Sequence, residues 1–321
     1  MNEVAAQPSN PTQVAEPHAS RVVKVINLIA VALPFAALLL TIAVTWGWGV
    51  DGHSLAVFGV MYILTAVGVT LGYHRLFTHR SFQTFAPVRA TLAVLGSMAA
   101  EGPVLYWVAV HRRHHQHADH EDDPHSPHLH GKGLVAMGRG LWHAHAGWLF
   151  GATPPNLPHY VGDLRRDPMV LRVSKLFPLW VAVGLILPAI VCGLLTQSWG
   201  GVLLGFLWGG LVRIFFVHHV TWSINSVCHF WGYQTFKGDD ESRNNPLFGV
   251  LGLGEGWHNN HHAFPTSARH GLRWWEFDAT YLFIRLMEQC GLAWKVRRPT
   301  AAAILAKRAS EVPTSPSRHV D

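Results

Sequence analysis

Residues 111–115 read His-Arg-Arg-His-His, and they close an apolar run that extends from Thr91 to Val110. On a helix, positions i+3 and i+4 fall within about 60° of position i, so His111, His114 and His115 can share a face. Imidazole is the commonest neutral metal ligand among side chains. A single such triplet arises by chance in a chain with 23 His. The spacing recurs, however, at His258-Asn259-Asn260-His261-His262, and a further pair, His74 and His79, brackets Arg75-Leu76-Phe77-Thr78. Three clusters, each beside a hydrophobic stretch, point to a metal site.

Outward from these clusters the chain is apolar. It is 49% hydrophobic and only 14% charged, where a soluble domain carries about 25% charged residues. With mean hydropathy +0.18 and 14 Trp, this predicts a membrane protein. The net charge of +6 comes from Lys and Arg set beside apolar segments rather than in one patch. That pattern flanks membrane spans and excludes a nucleic-acid surface. Cys192, Cys228 and Cys290 show no CxxC spacing, so neither a disulfide framework nor a zinc knuckle is expected.

Four stretches are long and apolar enough to span: about residues 26–50, 54–72, 174–197 and 200–222. Residues 1–24 read as a disordered tail without a cleavable signal, and 299–321 as a flexible tail with an Ala-rich turn. Residues 86–110 are broken by Glu101-Gly102-Pro103 and belong at an interface or under a cap. Residues 151–172 read as a water-side linker, and 274–289 as an amphipathic helix. Arg21, Lys24, Arg75, Arg80, Arg112, Arg113, Arg165, Arg166, Arg172 and Lys175 fall on one side of these spans, whereas the two hairpin turns carry no Lys or Arg. The positive-inside rule then places both termini and the His-rich middle in the cytoplasm. The predicted fold is an all-α integral membrane protein: four transmembrane helices under a cytosolic helical cap (73–173 and 223–298) that holds a His-rich dimetal site.

Eight His in three clusters exceed the four ligands of a tetrahedral zinc. They suit two metals with four or five ligands each, and a nitrogen-rich set with open positions fits iron that binds O2. Asn225 and His229, at i and i+4, are a further ligand or supporting pair. His74 and His79 diverge by about 140° on an ideal helix, so they straddle a helix end or grip a metal from two sides. His117, His120, His125, His128 and His130 read as a solvated loop. Arg213, His218 and His219 are expected to reach water from the end of the fourth span. Cys228 reads as a small buried thiol. A His-rich membrane metal transporter, the rival class, expects ionisable ligands near the bilayer midplane, where these spans are nearly free of them.

HRLFTH (74–79), EGPVLYW (101–107), HRRHH (111–115), DDPHS (122–126), TWSINSVCHFWG (221–232) and GEGWHNNHHAFPTSARHG (254–271) resemble the membrane-bound fatty acid desaturases. The likeness covers about residues 25–298 and is nearest the delta-9 acyl-CoA and acyl-lipid branch of bacterial type. It implies four transmembrane helices and two iron ions (Fe2+/Fe3+). It implies metal ligands at His74, His79, His111, His114, His115, His229, His258, His261 and His262, with Asn225 acting through water. It also implies a reaction in which O2 and two electrons convert a saturated acyl chain, carried on CoA or a glycerolipid, into a cis-unsaturated one. Tyr62 and Ala66 match positions that cap an acyl tunnel, and Trp222 is a further tunnel candidate. The electrons would come from an external ferredoxin, rubredoxin or cytochrome b5 with its NAD(P)H reductase, in a bacterial inner membrane. The His boxes are shared with related di-iron alkyl hydroxylases, which remain the alternative within this chemistry. One departure stands out: where acyl-CoA members carry an Arg-Asp pair before the second box, this chain has Ala109 and Val110.

Overall fold

The computed structural model describes residues 20–46 and 51–309. Helix α1 (Arg21–Thr45) starts where the Ser20 hydroxyl accepts from the Val23 amide. The cap sets the start five residues before the apolar run, so Arg21 and Lys24 are helical rather than part of a tail. The remainder of the expected tail, 1–19, and residues 47–50 lie outside the described residues.

Asp51 caps α2 (Gly52–Val67) by accepting from the amides of His53 and Ser54. The helix does not stop at 72: it continues as a π-helix, Gly68–Thr78, in which every residue is buried. Helices α3 (Ala86–Met98) and α4 (Val104–His117) flank the expected break, where Ala100 and Gly102 take positive φ. Next come α5 (Leu134–His145), α6 (Leu157–Tyr160) and α7 (Pro168–Lys175). The last two make the supposed linker partly helical, because Asp167 caps α7 and Pro168 suits its first turn. Helix α8 (Phe177–Thr196) is the third apolar span. The fourth is continuous from α9 (Trp199–Leu204) through a π-helix (Gly205–Val212) to α10 (Arg213–Ser226) and a last tight turn ending at His229. It outruns the expected end at 222 and so carries Asn225 and His229. Short helices α11 (Pro246–Leu251) and α12 (His258–Ala263) follow, then α13 (Ala279–Gln289) and α14 (Ala301–Ala309). Asp278 caps α13, which is why that helix starts at 279 and leaves Trp274 95% exposed before it. Helix α14 occupies the region expected to be a flexible tail, and Lys307 ties it to the Ala263 carbonyl; residues 310–321 lie outside the described ones. A two-residue antiparallel pair, β1 (Gln83–Thr84) with β2 (Ala293–Trp294), joins the two halves of the cap.

Among the described residues four helices are long and apolar enough to cross a membrane: Arg21–Thr45, Gly52–Thr78, Phe177–Thr196 and Trp199–His229. The main core lies beside them, where Tyr73, Phe77, Val104, Val108, Val170 and Ile284 pack together. Arg213 and His218 do not reach water. Arg213 is fully buried, and its fork donates to the carbonyls of Gly209, Met98 and Gly184. His218 lies 3.0 Å from the Ala99 carbonyl. These two side chains satisfy carbonyls that the end of α3 leaves without helical partners, and so they brace the elbow before α4. Cys228 is buried, as expected.

The close crossing of the π-helix and α3 depends on glycine. A Cβ on Gly68 would stand 2.2 Å from the Gly96 amide nitrogen, which is backbone and cannot swing aside. Gly68→Ala is therefore expected to cost about 1–3 kcal/mol, read as a lower thermal midpoint in detergent. An unchanged midpoint would mean that the two helices can part at no cost.

Candidate metal centre

The π-helix decides the first His pair. Its hydrogen bonds close at i→i+5, and the His79 amide donates to the His74 carbonyl at 3.1 Å. The wider turn brings positions five apart nearly above one another, so the two rings stand 4.7 Å apart rather than on diverging faces. Arg112, between the histidines of the second box, donates to the Phe77 and Thr78 carbonyls and pairs with Asp163. It thereby closes the end of that helix. Arg113 pins the following loop through the Asp122 carbonyl and carboxylate.

Each His triplet splits in two. His74, His79, His111, His115 and His261 bring five ligand nitrogens together, and His114, His229, His258 and His262 bring four, each set within 4.8 Å. Adjacent residues on a helix differ by about 100°, so His114 and His115 face different groups, as do His261 and His262. The single shared face expected for each triplet is thus two faces, one per group. Asn225 sits one turn before His229 and lines the cavity described below with His258.

The donor set fits bound metal. Nε2 atoms meet in pairs: His74 with His261 at 3.1 Å, His111 with His115 at 3.1 Å, His115 with His261 at 2.9 Å, and His229 with His258 at 3.1 Å. His79, His114 and His262 each bury an Nε2 that has no hydrogen-bond partner. Orphaned buried nitrogens of this kind call for an ion. Burial also pushes His79, His111, His115, His258 and His261 well below the ordinary imidazole range. That keeps them neutral, the form that ligates.

Carboxylates set the opposite ring nitrogens. His74 Nδ1 meets Glu255 at 2.6 Å, His114 Nδ1 meets Asp123 at 3.0 Å, His229 Nδ1 meets Asp119 at 2.7 Å and His262 Nδ1 meets Asp240 at 3.1 Å. A proton held at Nδ1 leaves the Nε2 lone pair free for metal and fixes each ring's orientation. Burial works against the charge on Asp119, Asp123 and Asp240, but the facing imidazoles hold all three well below the usual carboxylate range. Glu255 is shared: Arg75, fully buried, bridges it to Asp278 with contacts of 2.9–3.1 Å. The sequence reading missed these four carboxylates, as it missed His270, which is buried beside Glu255 at 3.3 Å. The signal was acidic residues scattered among the His. His125, expected to be solvated, is buried with its ring 4.4 Å from that of His114. Asp123 turns the loop inward and takes it along.

Beneath the two groups lies a cavity of about 720 Å3, within the range of ligand sites. His74, His111 and His258 form its head, and Tyr62, Ala66 and Trp222 are among its walls. The Tyr62 hydroxyl donates to the Leu251 carbonyl at 2.8 Å. Leu33, Pro34 and Leu211 extend the lining, so Tyr62 does not form the floor alone. Burial pushes the Glu101 carboxyl, which accepts from Trp107 Nε1, up to about 7.

Four membrane-length helices, with nine imidazoles from them and from the cap gathered over an apolar cavity, define a membrane protein with His clusters fit for metal. The comparisons name the family. The profile described as fatty acid desaturase matches residues 52–296. The chain is 41% identical over 278 residues to the hex-5-enoyl-[acyl-carrier protein] acetylenase of Moorena producens, covering 86% of this chain and 87% of that one. It is 38% identical to the sn-1 stearoyl-lipid 9-desaturase of Anabaena variabilis (84% and 92% covered) and 37% identical to a probable acyl-CoA desaturase of Schizosaccharomyces pombe (74% and 47%). The chain belongs to the fatty acid desaturase family, and it is an oxidoreductase of lipid metabolism. That membership sets the metal-transporter reading aside.

Proposed function

We propose that this protein is a di-iron desaturase that inserts a cis double bond at position 9 of a saturated acyl chain carried on a membrane glycerolipid. The observation that carries the reading is the placement of nine converging imidazoles at the head of an acyl-sized apolar cavity. His74, His79, His111, His115 and His261 would hold one iron. His114, His229, His258 and His262 would hold the other, with Asn225 near it through water. Bound iron supplies the oxidising chemistry: –CH2–CH2– + O2 + 2e− + 2H+ gives –CH=CH– + 2 H2O. The chain's own residues do the rest. The four carboxylates hold the imidazoles in register, and the cavity walls keep water from the reacting carbons. A separate ferredoxin, rubredoxin or cytochrome b5 with its reductase supplies the electrons.

Ala109 and Val110 support the glycerolipid. Both are buried and apolar, at 1% and 5% exposure, and offer nothing to the charged nucleotide of CoA. The Asn27–Leu149 hydrogen bond sets the amino end of α1 beside the His-bearing side, and the Lys and Arg gathered on that side support its lying in the cytoplasm. The test supplies iron-loaded protein with stearoyl phospholipid, O2 and reduced ferredoxin. Oleoyl phospholipid is the expected product. A hydroxylated or acetylenic product, or desaturation of stearoyl-CoA alone, would overturn the reading.

Chain length follows from the cavity wall. Tyr62 and Ala66 lie twelve and eight residues before His74 on the same span, and the π-helical stretch between, with more residues per turn, makes both separations shorter than an α-helix would give. Tyr62→Ala is expected to admit longer chains, and Ala66→Leu to shift product toward shorter ones. A product-length profile unchanged in both variants would make them packing residues only.

A further inference from the structure

The cavity is not closed on the membrane side. Val23, Ile26, Ile29 and Leu33 all line it, yet each is 43–57% exposed. One face of α1 is therefore both the cavity's wall and its lip. Trp148, Leu149 and Thr153, beyond α5, line the opposite lip. A single polar side chain bridges them: Asn27 Nδ2 donates to the Leu149 carbonyl at 2.6 Å. Among the described residues it is the hydrogen bond that joins α1 to any other element, and α1 is otherwise the span least buried by the rest of the chain. An amide in an apolar wall is costly unless paired, so the pair holds as a latch holds.

From this geometry we propose that the seam between α1 and residues 148–153 opens as a sideways entry for the acyl chain of a bilayer phospholipid, with Asn27 as its latch. The lips are apolar and lie on a membrane-length helix, so a chain already in the bilayer passes in without crossing water. Lys24, one turn before Asn27, and Arg21 are exposed at the membrane-edge end of the same helix. They are placed to meet a lipid phosphate while the chain slides inward. A chain carried on CoA would instead arrive from water. The inference rests on the glycerolipid reading above, and the two fail in different arms of one experiment.

Asn27→Cys and Leu149→Cys are combined in a Cys290→Ser background, leaving only buried native thiols. The protein is reconstituted with iron, ferredoxin and reductase in 1-stearoyl-2-oleoyl-phosphatidylglycerol vesicles, with or without a short thiol cross-linker that reductant cleaves. Unlinked protein should desaturate the phospholipid. Cross-linking should cut that rate at least tenfold with iron content unchanged, and reductant should restore it. Undiminished turnover of cross-linked protein would overturn the entry route. If the unlinked protein acts only on added stearoyl-CoA, the carrier reading falls and the route falls with it. Asn27→Ala is an independent check with no new thiol: phospholipid turnover at limiting substrate should rise at least twofold, and an unchanged rate counts against the latch.

Discussion

His115→Ala is expected to abolish turnover and strip iron while the protein still inserts and folds. The His115 Nε2 stands 3.1 Å from that of His111 and 2.9 Å from that of His261, and its ring lies 4.6 Å from that of His262. It stands where the two groups adjoin, so its loss removes a donor from one and opens the wall of the other. Removing a mere orienting partner costs a metal site about 10–100-fold in affinity or activity; removing this donor should cost more. The fold should survive, because the side chain sits among other imidazoles rather than in the apolar core. Iron per chain, turnover and the helical circular dichroism signal check this together. A variant that kept both irons and near-normal turnover would remove His115 from the site.

Arg75→Met is expected to damage stability more than any other single change outside the apolar core. The guanidinium is fully buried and, among the described residues, is the only Arg or Lys paired with Glu255 and Asp278. Removing one partner of a buried ion pair costs about 3–5 kcal/mol, because the other charge is left desolvated. Domains hold only about 5–15 kcal/mol in total. Glu255 would also lose the partner that aims it at His74, so iron in the five-histidine group should fall as well. Adding Glu255→Gln and Asp278→Asn to Arg75→Met removes the stranded charges and should recover much of the thermal midpoint, though not the iron. A single variant as stable as the natural protein would show that the carboxylates find other compensation.

The four spans could be read from composition because apolar runs of about 20 residues have few other uses. Their ends could not. Ser20 caps α1 ahead of the hydrophobic stretch, and no periodicity marks the π-helix that carries His74. The His boxes announced themselves by spacing, yet how they divide depends on where α4 and α12 point, which spacing does not encode. Two of the carboxylates were hidden for a plainer reason: Asp119 lies 110 residues from His229, and Glu255 180 residues from Arg75. Only folding makes them neighbours. Family likeness singles out Tyr62 and Ala66 as tunnel residues, and Trp222 is a further candidate. The part played by α1, a helix that reads as a simple anchor, emerges only when one of its faces lines the cavity. Arg213 and His218 mislead in the opposite direction, since charge near a span's end usually seeks water, and here three helices supply carbonyls instead.

Metal analysis of the natural protein tests whether the nine imidazoles hold two irons. Protein produced with iron supplementation, purified without oxygen and quantified by elemental analysis, should carry two irons per chain. Mössbauer spectra should resolve them as two nitrogen-rich sites, one for each histidine group. A protein that holds only zinc, or a single iron, and still desaturates phospholipid at full rate would contradict the account.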